Sequence, residues 1–275
     1  MSNLLKRSIF GTLFLAVTVG CLLCPCGYAA LMSFVTVVSS IELLRMLVPG
    51  ARYQREKVLV IVACTASFIL SFCCFAFGMA PQFILLAFLP LLFASILLLF
   101  DCASDYDFPA GIFYPALYVA LPVCCSLFLA FPGGQFTGNL ILGLFILIWC
   151  SDVGAYCFGM MLGQRSGSRK LFPALSPKKS WAGAIGGAVC ALLAAFAVAY
   201  LFDTPVSPVH WVVIALLVST VGVFGDLFES LLKRHAGIKD SGNIIPGHGG
   251  MLDRYDDILF LFPTIVAYLK ILNII

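Results

Sequence analysis

Long apolar runs with almost no charge recur along the sequence, and they restrict the fold more than any other feature. A helix needs about 20 mostly apolar residues to cross a hydrocarbon core of about 30 Å. Because only 11% of the 275 residues are charged, most of the chain is expected to be solvated by lipid. Runs of the required length lie at 8–24, 27–47, 58–78, 83–100, 110–131, 137–161, 181–202, 210–232 and 255–274. They predict an all-α, polytopic integral membrane protein with about nine transmembrane helices.

The distribution of Lys and Arg predicts the orientation of the chain. Basic residues precede the first run and follow the second, sixth and eighth, whereas 79–82, 132–136 and 203–209 contain neither Lys nor Arg. Since short loops rich in Lys and Arg stay in the cytoplasm, the N-terminus is expected to be cytoplasmic. The same rule accounts for the net charge of +3, so a nucleic-acid partner is not expected.

The boundary between the first two runs is the least distinct. Only residues 24–27, with the sequence CPCG, interrupt an apolar stretch from Ser8 to Val48, so a single long kinked helix is the alternative. We favour two helices, because merging them would break the agreement with the distribution of basic residues.

Polar residues divide the chain into two parts. Residues 1–135 carry few polar groups within their apolar runs and are interpreted as scaffold helices. Residues 136–275 are interpreted as the catalytic part, with cytoplasmic loops at 163–180 and 233–254.

Two acidic features interrupt the scaffold part. Glu42 lies within the second run, and Arg45 follows at a spacing that places both side chains on one helix face. We interpret the two as a structural ion pair. The acidic segment 101–107 is interpreted as a solvated turn in preference to a cation site.

Ionisable side chains within the later runs indicate a polar cavity, since such groups are costly in lipid. Asp226, Glu229, Ser230 and Lys233 fall on one face of the eighth predicted helix, and Asp152 shares a face of the sixth with Tyr156. The two faces are expected to meet across a cleft. A buried ion-pair network between helices is the alternative for the face that begins at Asp226.

The segment 237–257 reads GIKDSGNIIPGHGGMLDRYDD and combines glycines, basic residues and carboxylates. Glycine lets the backbone approach a phosphate, Lys and Arg offset phosphate charge, and closely spaced carboxylates hold Mg²⁺. These features predict phosphoryl or nucleotidyl transfer. The segment lacks the G-x-x-x-x-G-K-[ST] phosphate loop, which excludes an ATPase of that kind.

The segment 165–181 ends in SPKKSW just before a predicted helix. Two lysines and two hydroxyls at a helix N-terminus suit an anion such as a lipid phosphate or a nucleotide. A basic membrane anchor with a serine N-cap fits the same residues, and the sequence leaves both interpretations open.

These motifs together resemble the phosphatidate cytidylyltransferase family. The match runs from S-L-L-K-R at Ser230 through K-D-S-G to P-G-H-G-G-M-L-D-R-Y-D, with the upstream S-P-K-K-S-W-x-G in the expected order. It is specific over 148–257, whereas the first 140 residues share only hydrophobicity. The sequence departs from the family at Ser180, usually Thr, at Ala182, usually Glu, and at Tyr255, usually smaller. Ala182 removes a carboxylate, so no metal or nucleotide role is expected there.

The resemblance implies transfer of CMP from CTP to phosphatidic acid, giving CDP-diacylglycerol and pyrophosphate for phospholipid biosynthesis. It also implies Mg²⁺ as cofactor, a homodimer, and a bacterial inner membrane location with the active site facing the cytoplasm. The sequence does not decide whether a second, monovalent cation assists.

The resemblance also assigns roles to individual residues. The catalytic groups it implies are Asp226, Lys233, Arg234, Lys239, Asp240, His248, Asp253 and Arg254. The substrate-binding residues it implies are Asp152, Tyr156, Ser176, Lys178, Lys179, Ser180, Ser230, Gly249 and Gly250. The metal ligands it implies are Asp226, Asp253 and Asp256, with Asp257 as an alternative support.

Three other functions would account for part of the sequence pattern. A CTP-dependent polyprenol or dolichol kinase would use a related nucleotide site. A CDP-alcohol phosphotransferase is disfavoured because the D-G-x-x-A-R motif is missing. A cation- or proton-coupled transporter would explain the acidic residues within the spans but leaves the glycine-rich basic loop unexplained.

Overall fold

The chain folds almost entirely into helices. A computed structural model describes residues 3–101, 110–165, 168–245, 247 and 249–275. Over those residues the helices are α1 (Asn3–Leu22), α2 (Pro25–Leu47), α3 (Gln54–Phe77), α4 (Phe88–Asp101), α5 (Leu121–Ala130), α6 (Asn139–Met161), α7 (Trp181–Leu201), α8 (Pro208–Leu217), α9 (Val223–His235) and α10 (Leu252–Ile271). The predicted all-α class is confirmed.

Seven helical segments of the described chain are long and apolar enough to cross a membrane. They are Pro25–Leu47, Gln54–Phe77, Pro81–Leu98, Ala110–Ala130, Asn139–Met161, Trp181–Leu201 and Pro208–His235, and they match the second to eighth predicted runs. The first and ninth runs are also helical. The apolar part of α1 is shorter, at Ile9–Leu22, and α10 carries several carboxylates near its start.

The first two runs form separate helices. α1 ends at Leu22 and α2 begins at Pro25, where proline at the first helical position is favoured. The thiol of Cys24 caps α2 by accepting the backbone N–H of Gly27 at 3.3 Å. Since α1 also packs against α2, the two form a helical hairpin, and the alternative of one kinked helix is wrong.

Irregular turns lie within several of the predicted spans. A 3₁₀ turn at Pro81–Ala87 precedes α4, and π-helical turns at Ala116–Ala120 and Val218–Gly222 precede α5 and α9. Such π turns often occur at functional sites, and the second of them ends four residues before Asp226.

A small β-hairpin stands in the loop between α6 and α7. Strands β1 (Lys170–Phe172) and β2 (Ser176–Ser180) pair antiparallel, with Lys170 opposite Ser180. The sequence does not predict these strands, because they are short and rich in lysine and lack the alternation of a half-buried strand.

Glycines allow α6 and α7 to pack closely. A Cβ added at Gly154 would lie 2.8 Å from the carbonyl oxygen of Gly186, and one at Gly187 would lie 2.8 Å from that of Ser151. Small residues at helix interfaces let two backbones approach in a membrane protein. The pair therefore forms a fixed wall for the cavity described below.

A glycine also brings α9 against α10. A Cβ at Gly225 would lie 2.7 Å from the carbonyl oxygen of Asp256 and 3.1 Å from the Cα of Asp257. No larger residue fits at this crossing without moving one helix. The contact places Asp226, the next residue in α9, beside the acidic start of α10.

Candidate active site

A cavity of about 630 Å³ lies between α6, β2, the start of α7, the junction of α8 with α9, and α10. Asp152 and Tyr156 line it from α6, and Asp226 lines it from α9. The predicted cleft between these two helix faces is therefore confirmed. The remaining lining residues are Ser151, Ala155, Gly159, Met160, Gln164, Leu171, Lys178, Lys179, Ser180, Gly183, Ala184, Val218, Val223 and Asp257.

Three carboxylates converge at the wall formed by α9 and α10. One oxygen each from Asp226, Asp256 and Asp257 lie within 4.8 Å of one another. The Oδ1 atom of Asp257 is buried and has no hydrogen-bond partner in the described part of the chain. Converging carboxylate oxygens with free lone pairs are the ligand set that hard divalent cations prefer, so the group suits an ion such as Mg²⁺.

The β-hairpin brings basic side chains to the same cavity. Lys178 and Lys179 line it from β2, and the Lys179 ammonium forms an ion pair with the Asp226 carboxylate. The Ser180 hydroxyl caps α7 by accepting the backbone N–H of Gly183 at 3.2 Å. Ser180 is therefore the helix cap, and of the two lysines before it Lys179 is paired with Asp226, whereas Lys178 has no ion pair among the described residues.

Asp253 lies apart from the group of three carboxylates. Its Oδ1 accepts a hydrogen bond from Lys233 Nζ at 2.7 Å. Its Oδ2 accepts the backbone N–H groups of Ser241 at 2.9 Å and Gly250 at 2.8 Å. The carboxylate thus holds the loop between α9 and α10, and both of its oxygens already have partners.

Lys233 links this loop to α9. Its ammonium also pairs with the buried carboxylate of Glu229 one helical turn away. The alternative of a buried ion-pair network therefore applies to Glu229 and Lys233, whereas Asp226 on the same helix faces the cavity. Ser230, on the same helix, donates a hydrogen bond from Oγ to Asp226 Oδ1 at 3.4 Å.

Several residues assigned by resemblance lie outside the cavity lining. Arg234 is exposed and donates from Nη1 to the carbonyl of Ile238 at 2.9 Å. Lys239, Asp240 and Arg254 are exposed, and Ser176 is half-buried at the start of β2.

The glycine-rich turn is described only in part. Gly249 has φ +86°, and a Cβ there would lie 2.5 Å from Asp253 Oδ2, so only glycine suits this position. Gly250 donates its N–H to the same carboxylate. His248, and the residues of the acidic segment after Asp101, lie outside the described residues.

The predicted ion pair between Glu42 and Arg45 is wrong. It is only 1% exposed, and its carboxylate accepts hydrogen bonds from the loop that precedes α10. Arg45 is exposed and forms no ion pair with Glu42 among the described residues. An acidic residue inside an apolar run was the available signal, but its partners lie about 200 positions away in the sequence.

The sequence is similar to those of known proteins. The profile of the cytidylyltransferase family matches residues 5–272. Proteins named phosphatidate cytidylyltransferase are similar in sequence: that of Staphylococcus aureus (strain COL) is 44% identical over 127 residues, and that of Bacillus subtilis (strain 168) is 44% identical over 128. Each alignment covers 46% of this chain, and it covers 47% and 46% of the two relatives, so the chain spans about half the length of the curated relatives it matches. Since the family profile covers nearly the whole chain, this protein belongs to the cytidylyltransferase family.

Proposed function

We propose that this protein is a phosphatidate cytidylyltransferase, which transfers CMP from CTP to phosphatidic acid and releases pyrophosphate. One observation carries the proposal: two lysines of β2 and two members of a group of three carboxylates line the same cavity within a bundle of membrane-length helices. Cations for phosphates and oxygens for a metal are the two requirements of nucleotidyl transfer. We take the substrate class from the relatives, which are named phosphatidate cytidylyltransferases.

The residues that would hold Mg²⁺ are Asp226, Asp256 and Asp257. Their oxygens converge, and Oδ1 of Asp257, which has no hydrogen-bond partner among the described residues, offers a lone pair to an ion. When bound, Mg²⁺ offsets charge on the triphosphate and on the leaving pyrophosphate. Asp253 lies outside this converging group, and Lys233 and two backbone amides hold its carboxylate toward the loop, so we assign it to the loop and not to the metal.

Lys178 and Lys179 would bind the phosphates. Both line the cavity, and Lys179 already pairs with a carboxylate that would turn to the metal when the ion binds. A triphosphate entering here would replace that carboxylate as the partner of the ammonium. The lysine thus serves both the empty and the loaded cavity.

The cavity wall also suits a lipid. Met160, Leu171 and Val218 line it with apolar surface, and Tyr156 is 70% exposed beside them. An aromatic ring with a hydroxyl is favoured where an apolar region meets a polar one. We therefore place the phosphate of phosphatidic acid toward the lysines and its acyl chains along the apolar wall.

In the proposed reaction, an oxygen of the lipid phosphate attacks the α-phosphorus of CTP. A new P–O bond forms, and the bond from the α-phosphorus to the bridging oxygen of the β-phosphate breaks. Pyrophosphate leaves with that oxygen, and CDP-diacylglycerol remains in the membrane for phospholipid synthesis. The protein contributes position and charge compensation, because neither phosphate needs covalent activation.

The setting of the enzyme is part of the proposal. The distribution of Lys and Arg supports a cytoplasmic N-terminus and a cavity that opens toward the cytoplasm. The bacterial relatives support an inner-membrane location. We also propose a homodimer, on the family resemblance alone.

A direct assay tests the proposed function. Detergent-purified protein is incubated with Mg²⁺ and either phosphatidic acid or a polyprenol, in parallel reactions with CTP labelled at the α-phosphate or at the γ-phosphate. Labelled CDP-diacylglycerol with release of pyrophosphate is expected from phosphatidic acid only. Phosphorylation of the polyprenol instead, or no turnover of CTP with either lipid, would contradict the proposal.

A further inference from the structure

We infer that Glu42, on α2, is a positioning residue that fixes the start of α10 and thereby the proposed metal ligands. The inference rests on the proposed function for its catalytic consequence. The structural claim is that this carboxylate of the N-terminal half holds the loop between α9 and α10. That claim rests on the hydrogen bonds described below and not on the proposed function.

Glu42 accepts three hydrogen bonds, all from the region of the loop. Its Oε1 accepts the backbone N–H of Met251 at 3.0 Å. Its Oε2 accepts the backbone N–H of Leu252 at 2.7 Å and the hydroxyl of Ser241 at 3.0 Å. With 1% of its surface exposed, the carboxylate is withdrawn from water, and these donors satisfy both of its oxygens.

These bonds replace the N-terminal cap that α10 lacks. Met251 at the cap position has no side chain able to accept a hydrogen bond from the first turn. The first N–H groups of a helix have no intrahelical partner and carry partial positive charge. A carboxylate from another helix therefore satisfies these donors and favours the start of α10 at this point.

The loop is shaped to admit the Glu42 carboxylate. A Cβ added at Gly250 would lie 2.5 Å from Glu42 Oε1 and 2.6 Å from Oε2. A Cβ at Gly242 would also overlap the Glu42 carboxylate. Two glycines of the loop thus leave the space that the buried carboxylate occupies, in addition to any role toward a phosphate.

The loop held by Glu42 is also bonded to a carboxylate of α10. Ser241 donates its hydroxyl to Glu42 and its backbone N–H to Asp253, so both carboxylates hold the loop at the same residue. Asp256 and Asp257 follow one turn later on the same rigid helix. A shift of the first turn would move both away from Asp226, and small displacements of catalytic groups are costly.

The first test compares Glu42→Gln with Arg45→Gln in the full-length, detergent-purified protein. Glutamine keeps the length of the side chain but turns one acceptor into a donor, so at least one N–H loses its partner. Arg45 lies one turn later on the same helix, is exposed and forms no ion pair with the loop among the residues described. Hydrogen–deuterium exchange of the peptide that spans 250–254 is measured in each variant.

We expect exchange at Met251 and Leu252 to be about tenfold faster in Glu42→Gln, the factor for loss of about one buried hydrogen bond. The Mg²⁺ concentration for half-maximal formation of CDP-lipid should rise about fivefold or more, since a displaced ligand set binds the ion less well. Arg45→Gln should match the unmodified protein in both measurements. Unchanged exchange in Glu42→Gln, or equal effects of the two variants, would overturn the inference.

Ser241→Ala keeps the test open if Glu42→Gln does not fold. It removes one donor to Glu42 while both backbone amides remain, so exchange over 241–252 should rise by a smaller factor, about threefold. Exchange as slow as in the unmodified protein would then overturn the inference. Exchange does not depend on turnover, so failure of the unmodified protein to make CDP-diacylglycerol would refute only the proposed function.

Discussion

Two acidic regions lie side by side where α9 crosses α10, and they differ in how their oxygens are satisfied. In the loop clamp, formed by Glu42 and Asp253, every carboxylate oxygen accepts at least one hydrogen bond. In the acidic group, formed by Asp226, Asp256 and Asp257, three carboxylates share one ion pair among the described residues, from Lys179 to Asp226, and the buried Oδ1 of Asp257 has no hydrogen-bond partner there. Carboxylates with full sets of partners stabilise the fold, whereas an excess of acceptors marks the place for a cation.

The largest effect is expected from Asp257→Asn in the acidic group. Loss of one ligand oxygen should lower formation of CDP-lipid by about 1000-fold, because the cation neutralises charge in the transition state. The unfolding temperature should stay the same or rise, since mutual repulsion of the carboxylates decreases. Activity above about one tenth of that of the unmodified protein would place the metal elsewhere.

Lys233→Met changes the loop clamp, and we expect it to lower stability, whereas Asp257→Asn lowers activity without lowering stability. It leaves the buried Glu229 and the half-buried Asp253 without their shared cation, and breaking such a pair costs about 3 to 5 kcal/mol of the free energy of unfolding. Thermal or denaturant unfolding in detergent measures this loss. An unfolding curve equal to that of the unmodified protein would show that Lys233 does not hold the loop.

Lys179→Met tests the part of the cavity that is lined by β2. We expect the KM for CTP to rise about tenfold, because one cation toward the phosphates is lost. Stability should change little, since the Lys179 side chain is 27% exposed and that of Asp226 34%, and pairs open to solvent contribute weakly. A large fall in unfolding temperature with unchanged KM would make the pair structural.

Ser180→Ala is expected to have the smallest effect. It removes the side-chain cap of α7, which typically costs about 1 kcal/mol of stability. The free energy of unfolding measures this change. A loss as large as that expected for Lys233→Met would mean that Ser180 supports more than the cap.

The sequence alone predicted the membrane helices well because their signal is local. Apolar length fixes each span wherever it packs, so the runs at 8–24 and 27–47 were separated correctly in spite of the short break between them. That the helix faces with Asp152 and Asp226 line a polar cavity could be predicted from helical spacing and from the cost of charged groups in lipid.

The remaining features depend on contacts that the sequence does not contain. Asp253, Asp256 and Asp257 share one helix face, so spacing alone gives no basis for choosing among them as ligands. Hydrogen bonds from Lys233 and two loop amides distinguish Asp253 in the structure. The partners of Glu42 are equally remote in the chain.

Binding of Mn²⁺, as a spectroscopic substitute for Mg²⁺, tests the central distinction most directly. Electron paramagnetic resonance titrations would compare the unmodified protein with Asp257→Asn and Asp253→Asn, each kept below its unfolding temperature. We predict that Asp257→Asn loses bound Mn²⁺, whereas Asp253→Asn retains it and unfolds at a lower temperature. Retention of Mn²⁺ by Asp257→Asn together with its loss in Asp253→Asn would contradict the account.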